Sequence, residues 1–274
     1  MGALEKAVWH LEANIDKPMT LADIAAFSAV SPWHLNRLFH EAIGIGPMSY
    51  LRARRLTIAA KALAGGEEIL PVALDAGYGS HEAFTRAFAA CFGVLPSTVR
   101  AQRTTANLTL MEPLEMDKSL IIDVAPPEFR TRPALRVIGL SVRCTFETNS
   151  VIPKLWMDFN PRCDEVPQPV DGAAYGVCCD MRADGHFRYV AGLESRSKHV
   201  PDGLDFVDIP ASRYAVFQHV GHIADYRKTI YTIWNKALPD AGLQSAPTPD
   251  FELYDERFDA ATGSGVVEVW IPIA

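Results

Sequence analysis

The sequence predicts a multi-domain protein: an all-α double helix-turn-helix domain followed by an α+β domain with a duplicated strand-helix-strand-strand unit. Three observations carry that reading. SPWHLNRLFHEAIG and SHEAFTRAFAACFG, which start at Ser31 and Ser80, share one pattern: Ser, three residues, Leu or Phe, one residue, Arg, one residue, Phe, four residues, Gly. After a polar, proline-containing stretch, TTANLTLMEPLEMDKS, helical spacing gives way to alternating, β-branched and aromatic runs. The strand and helix signals of the second half then occur as two matching sets. The expected boundaries are 1–105 for the helical domain, 106–119 for a linker and 120–274 for the second domain.

With 274 residues, 49% of them hydrophobic, the chain can bury cores in two domains. No stretch approaches the roughly 18 apolar residues of a membrane span, and MGALEKAVWHLEANIDKP lacks an apolar signal-peptide core. A cytoplasmic location without a membrane partner is expected. The five cysteines are odd in number and lack metal-ligand spacing, which predicts reduced thiols. Net charge is −7, but it is unevenly placed: 10 Lys and Arg face 9 Asp and Glu in residues 1–105, and 16 face 24 in 106–274. The acidity belongs to the second domain, so it does not argue against a nucleic-acid partner for the first.

Within the first domain, LEKAVWHLEANI places Leu4, Val8, Leu11 and Ile15 at helical spacing. Pro18 breaks the chain, and Thr20 with Asp23 forms a capping signature ahead of LADIAAF. Ser31 can cap the next helix, with Pro32 at its first position. Leu35, Leu38 and Phe39 then face inward, with Asn36, Arg37 and His40 turned away. In the second copy Ser80 caps, Phe84 and Phe88 face inward, and Thr85 and Arg86 face out. Short helix, tight turn, capped helix with an outward Arg is a helix-turn-helix, present twice. PMSYLRARRLTIAAKALAGG between the copies predicts one helix of about 18 residues, roughly 27 Å long. Such a strut can set two recognition helices about one DNA turn apart, with Arg52, Arg54 and Arg55 near phosphates.

SPWHLNRLF, the two Gly-x-x-Pro steps, YLRARRL and ALDAGYGSHEAFTRAFAACFGVLPSTVR resemble the DNA-binding domain of the AraC/XylS family of transcription regulators, over about residues 1–105. The resemblance implies double-stranded DNA as partner. It implies base readers at Trp33, Asn36 and Arg37 in the first inserted helix, and at His81, Glu82, Thr85 and Arg86 in the second. Arg can be bidentate to guanine and Asn to adenine, and Trp33 can pack on a sugar or a thymine methyl. Glu82 departs from the family, which often has Gln there; a carboxylate repels phosphate but can accept from cytosine N4.

In the second half, LRVIGLSVRC, a helix near SVIPKLWMDF, AAYGVCCDM and FRYVAGLES form one set. SRYAVFQHV, ADYRKTIYTIWNKAL, DFELYDERF and VVEVWIPI form the other. This duplication predicts one antiparallel sheet with helices on one face and a pseudo-twofold cleft. In VVEVWIPI, Glu268 and Trp270 share one face, and Val267, Val269 and Ile271 the other. One face is therefore apolar core, and the other sets a carboxylate beside an indole. Trp156, Tyr189 and Trp234 are candidate aromatic walls. A carboxylate among aromatics suits an organic cation.

The phrases YVAGLE, DIPASRYAVFQHVG, DFELYDERF and VVEVWIPI resemble the GyrI-like effector-binding domain, over roughly 120–274. The resemblance implies a small-molecule effector and supports Glu268 as its contact. It also implies RNA polymerase as a further partner of such a regulator. Two rival functions are carried by the same family: a small-molecule hydrolase with Glu268 as general base, and a module that binds gyrase or RNA polymerase. No catalytic residues, cofactor or metal are expected. His219 and His222 straddle a strand end and a Gly without other ligands of suitable spacing.

Overall fold

The structure, a computed structural model, describes residues 2–114, 118–145, 148–182, 186–246 and 248–274. Part of the expected linker, 115–117, lies outside the described residues. Seven helices occupy the N-terminal region: α1 (Ala3–Ala13), α2 (Leu21–Phe27), α3 (Pro32–Ile43), α4 (Pro47–Gly65), α5 (Ile69–Asp75), α6 (His81–Phe92) and α7 (Pro96–Gln102). Local chemistry fixes their ends. Asp23 N donates to Thr20 Oγ1 at 3.2 Å and Thr20 N to Asp23 Oδ2 at 2.9 Å, closing the capping box of α2. Ser31 accepts from His34 N at 3.2 Å, and Ser80 from Ala83 N at 3.1 Å. Gly77 turns the chain between α5 and α6 at φ +83°, a conformation that a Cβ would strain. The strut α4 has 19 residues.

The second half is one eight-stranded antiparallel sheet in the order β1-β6-β8-β7-β3-β4-β2-β5. Its strands are β1 (Glu128–Arg132), β2 (Leu135–Cys144), β3 (Pro169–Cys179), β4 (Phe187–Ser195), β5 (Asp205–Ile209), β6 (Ser212–His222), β7 (Asp250–Asp259) and β8 (Ser264–Ile273). Helix α8 (Ile152–Phe159) follows β2, and α9 (Tyr226–Thr232) follows β6 and continues through a π-helical turn, Ile233–Ala237. The duplicated unit is thus β2-α8-β3-β4 and β6-α9-β7-β8, and the two halves meet where β3 pairs with β7. Edge strands β1 and β5 have no counterpart in the sequence reading.

The sheet curls on itself. Arg132 of β1 donates to Tyr175 Oη of β3 at 2.6 Å and to Glu194 Oε2 of β4 at 2.8 Å, although other strands intervene in the sheet order. Inside the curl lies a core of Val137, Val177, Val190, Tyr214, Phe251 and Trp270. On the outer face α8 packs over β2 and β4, and α9 over β6.

The helical region divides between two cores. Leu56, Leu63, Val72, Phe84, Phe88 and Val99 enclose the second helix-turn-helix by itself. The first helix-turn-helix does not close alone. Leu4, Leu11, Ile24, Leu38 and Phe39 share one core with Phe217 of β6, Val269 and Ile271 of β8, and Ile230 and Trp234 of the α9 segment. The apolar face expected for Val267, Val269 and Ile271 is therefore present, and it carries α1 to α3 as well as α9.

Candidate functional site: a reading helix over an aromatic cavity

The two helix-turn-helix units present different surfaces. On α6, His81, Glu82 and Arg86 are exposed and Thr85 is half-buried, as an open reading face requires. On α3, every residue from Trp33 to Phe39 is buried. The expectation that Asn36 and Arg37 turn outward is corrected here. The helical pattern identified the apolar side of α3 correctly, but the opposite side is covered by the sheet region. Trp33 joins a core with Phe187, Tyr189 and Ala191 of β4. The His34 ring lies 3.7 Å from that of Trp234. Arg37 Nη1 donates to Asp250 Oδ2 of β7 at 3.1 Å, and its Nη2 lies 4.0 Å from Glu252 Oε1.

The strut arginines also differ from expectation. Arg52 is exposed. Arg54 is buried and donates from Nε and Nη2 to Glu12 at 2.8 Å each. Arg55 donates to the Ile15 and Lys17 carbonyls, fastening α4 to the end of the first helical segment. Arg54 and Arg55 are thus engaged within the fold.

Beneath α3 is a cavity of about 580 Å³. Its floor comes from β7, where alternation puts Asp250, Glu252 and Tyr254 on the outer face of the sheet. Glu252 Oε2 accepts from Tyr189 Oη at 2.7 Å and from Tyr254 Oη at 3.0 Å. Tyr189 in turn accepts from Trp156 Nε1 at 3.2 Å. Gly176 of β3 makes room for this cluster, since a Cβ there would come within 1.9 Å of Tyr189 Oη. Trp156 of α8, Tyr226 of α9 and Phe258 of β7 complete the aromatic lining, and Arg37 and Glu41 of α3 close one side. Burial, and then the Glu252 charge, hold the phenols of Tyr189 and Tyr254 well above their ordinary range, so both remain donors.

Asp250 sits just behind the lining. Burial raises its carboxyl to about 7, with Arg37 opposing and Glu252 adding to the rise. Its Oδ1 lies 3.8 Å from His34 Nε2, and neither atom has a hydrogen-bond partner among the described residues. Burial, and then Arg37, keep His34 well below its ordinary value, so the imidazole is neutral.

The effector residues expected from the sequence are divided by the sheet. Trp156 and Tyr189 line the cavity. Trp234 is buried under α3, against His34. Glu268 and Trp270 point into the curl, on the opposite face from the cavity. Glu268 accepts there from Arg130 Nη1 at 3.1 Å, Arg257 Nη2 at 2.8 Å and Trp270 Nε1 at 2.9 Å. The alternation along β8 was read correctly, but which side of the sheet holds the cavity depends on where α8 and α3 dock. Glu252, Tyr254 and Tyr226 were missed. For Glu252 and Tyr254 the signal was the same alternation in DFELY, which sets two carboxylates and a phenol on one face; Tyr226, on α9, carried no such signal. His219 donates or accepts within the fold, with Thr229 Oγ1 at 2.7 Å and the His222 carbonyl at 3.1 Å.

Two helix-turn-helix units joined to a sheet that carries a carboxylate in an aromatic cavity define a DNA reader coupled to a small-molecule receptor. The profile of the GyrI-like small molecule binding domain matches residues 125–274, and that of a helix-turn-helix domain matches 24–102. The chain belongs to the GyrI-like family and carries an AraC-type helix-turn-helix region ahead of that domain, so it is a DNA-binding transcription regulator with a small-molecule-binding domain. It is 34% identical over 145 residues to the transcriptional regulator BrlR of Pseudomonas aeruginosa, a match over 52% of this chain and about half, 53%, of BrlR. It is 27% identical to the right origin-binding protein of Escherichia coli strain K12, over 97% of this chain and 96% of that one. The multiple antibiotic resistance protein MarA of the same strain is 32% identical over 105 residues, 38% of this chain and 83% of MarA. Among the described residues no helix is long and apolar enough to cross a membrane.

Proposed function

We propose that the chain is a cytoplasmic transcription regulator whose effector is a flat, lipophilic organic cation bound in the cavity beneath α3. The observation that carries this reading is Glu252, a buried carboxylate on the floor of a cavity whose lining includes the rings of Trp156, Tyr189, Tyr226, Tyr254 and Phe258. Aromatic faces attract a delocalised cation, and a buried carboxylate gives it a counter-ion that water does not screen. Regulation rather than catalysis fits the polar groups. Glu252 Oε2 accepts from Tyr189 and Tyr254 and Oε1 faces Arg37, so the carboxylate is held in place by groups of the fold. DNA would be contacted by His81, Glu82, Thr85 and Arg86 of α6, with Arg52 near the backbone, and by Trp33, Asn36 and Arg37 once α3 is uncovered. RNA polymerase belongs to the reading as the machinery that such a regulator serves. The proposed domain boundaries remain 1–105 and 120–274.

The test is calorimetric titration with N-methylacridinium and with acridine, its neutral analogue at pH 8. Glu252→Gln is expected to weaken the cation by about 1–3 kcal/mol and to leave acridine nearly unchanged. Glu268→Gln, on the other face, is expected to alter neither affinity. Equal losses for both ligands in Glu252→Gln, or a loss for the cation confined to Glu268→Gln, would contradict the reading.

A further inference from the structure

The most telling feature of the cavity is that one of its polar walls belongs to the DNA-reading helix. We propose that Arg37 is an internal cation of the effector site, and that a cationic effector takes its place beside Glu252 and thereby releases α3 for DNA. This rests on the effector reading given above and adds the mode of regulation.

Four observations support the exchange. Arg37 always carries its charge, and at 7% exposure it can hold that charge only against partners. Those partners are Asp250 at 3.1 Å and Glu252 at 4.0 Å, and Glu252, with Glu41 and Asp255, is one of the carboxylates that line the cavity. A ligand cation seated against Glu252 would lie beside the guanidinium, and the two like charges would repel in a poorly screened space. Arg37 is also one of three residues on α3 that the family resemblance assigns to base reading. A guanidinium cannot sit on β7 and on a guanine edge at once. Finally, the seam between α3 and β7 is imperfectly satisfied. Asp250 Oδ1 and His34 Nε2 face each other without hydrogen bonds, which lowers the cost of opening it. The second reading helix is already exposed, so the switch concerns α3 alone.

The consequence is a preference among ligands that cavity shape does not give. A neutral aromatic can occupy the space and leave Arg37 in place. Only a cation competes for its counter-ion, so binding and release are separate properties.

The experiment is backbone hydrogen exchange of the full chain, free and saturated with N-methylacridinium or acridine, with saturation established by calorimetry. The cation is expected to speed exchange in residues 33–43 by ten-fold or more, with α6 unchanged and acridine without effect on either helix. Asp250→Asn, which removes the carboxylate nearest the Arg37 guanidinium, is expected to speed exchange in the same segment with no ligand present. Saturating cation that leaves residues 33–43 as slow as before, or slows them, would overturn the exchange while leaving the effector site standing. Failure of the cation to bind at all would overturn the effector reading and the exchange with it.

Discussion

Asp250 shows how a single side chain ties the regions together. It stands on β7 behind the cavity, faces Arg37 and His34 of α3, and shares its surroundings with Glu252 and Cys178. Its carboxyl is raised by burial from an ordinary 3.8 to about 7. The folded state therefore holds this proton more tightly than the unfolded chain does. The contribution to stability falls as pH rises between about 4 and about 7, and is level above that. Asp250→Asn is expected to remove this component, so the difference in stability between variant and wild type should change across that window and stay constant above pH 7. Urea unfolding at several pH values measures it; a difference independent of pH from 4 to 7 would place Asp250 in a wetter environment than the fold shows. At this scale the sequence was informative about pairing along a strand and silent about depth. Glu268 with Trp270 and Glu252 with Tyr254 carry the same alternating signature. Arg130 and Arg257 satisfy the first pair, and only the docking of α8 and α3 turns the second into a site.

The two recognition helices are near repeats in sequence and unlike in setting. Both begin at a serine cap, both end at a left-handed glycine, and each turns apolar residues into a core, Leu35, Leu38 and Phe39 from α3 and Phe84 and Phe88 from α6. These features follow from local spacing, which is why both helix-turn-helix units were legible. Exposure of the other face does not follow, because it is decided by a partner more than 150 residues away in the chain, β7. Edge strands β1 and β5 escaped for a related reason. EFRTR has one apolar residue in five, and DFVDI is short, so neither shows the alternation of a half-buried strand. On α6 the exposed Glu82 gives a direct test of groove insertion. Glu82→Gln is expected to tighten binding of selected genomic DNA several-fold, with little change in salt dependence, since repulsion is removed without adding a cation. An unchanged affinity in a salt-series titration would mean that α6 lies off the DNA.

Across the whole molecule, the arrangement of cores matters more than the domain boundary. The sequence suggested a helical reading domain bounded at residue 105. The structure instead gives the later turns of α4 and α5 to α7 their own core, and fuses α1 to α3, with Tyr50 and Leu51 of α4, to the sheet. A fragment ending at residue 105 would strip the core that holds Leu38 and Phe39 of Phe217, Val269 and Ile271, and burial of a single such side chain is worth roughly 1.5–3 kcal/mol. Its amides are expected to be protected in α4 to α7 and to exchange freely in α1 to α3; uniform protection across the fragment would show that the first unit closes unaided. In the full chain the proposed release of α3 from this shared core would couple DNA to effector. Because α3 cannot lie on β7 and in a DNA groove at once, and the proposed cation favours its release, each ligand raises the affinity of the other by one factor. The direct measurement is the dissociation constant of the full chain for a DNA fragment selected from genomic sequence, at one fixed salt concentration, with and without saturating N-methylacridinium. The cation is expected to tighten DNA binding by ten-fold or more, with acridine leaving it unchanged. DNA affinity that is the same or weaker with the cation bound would contradict it.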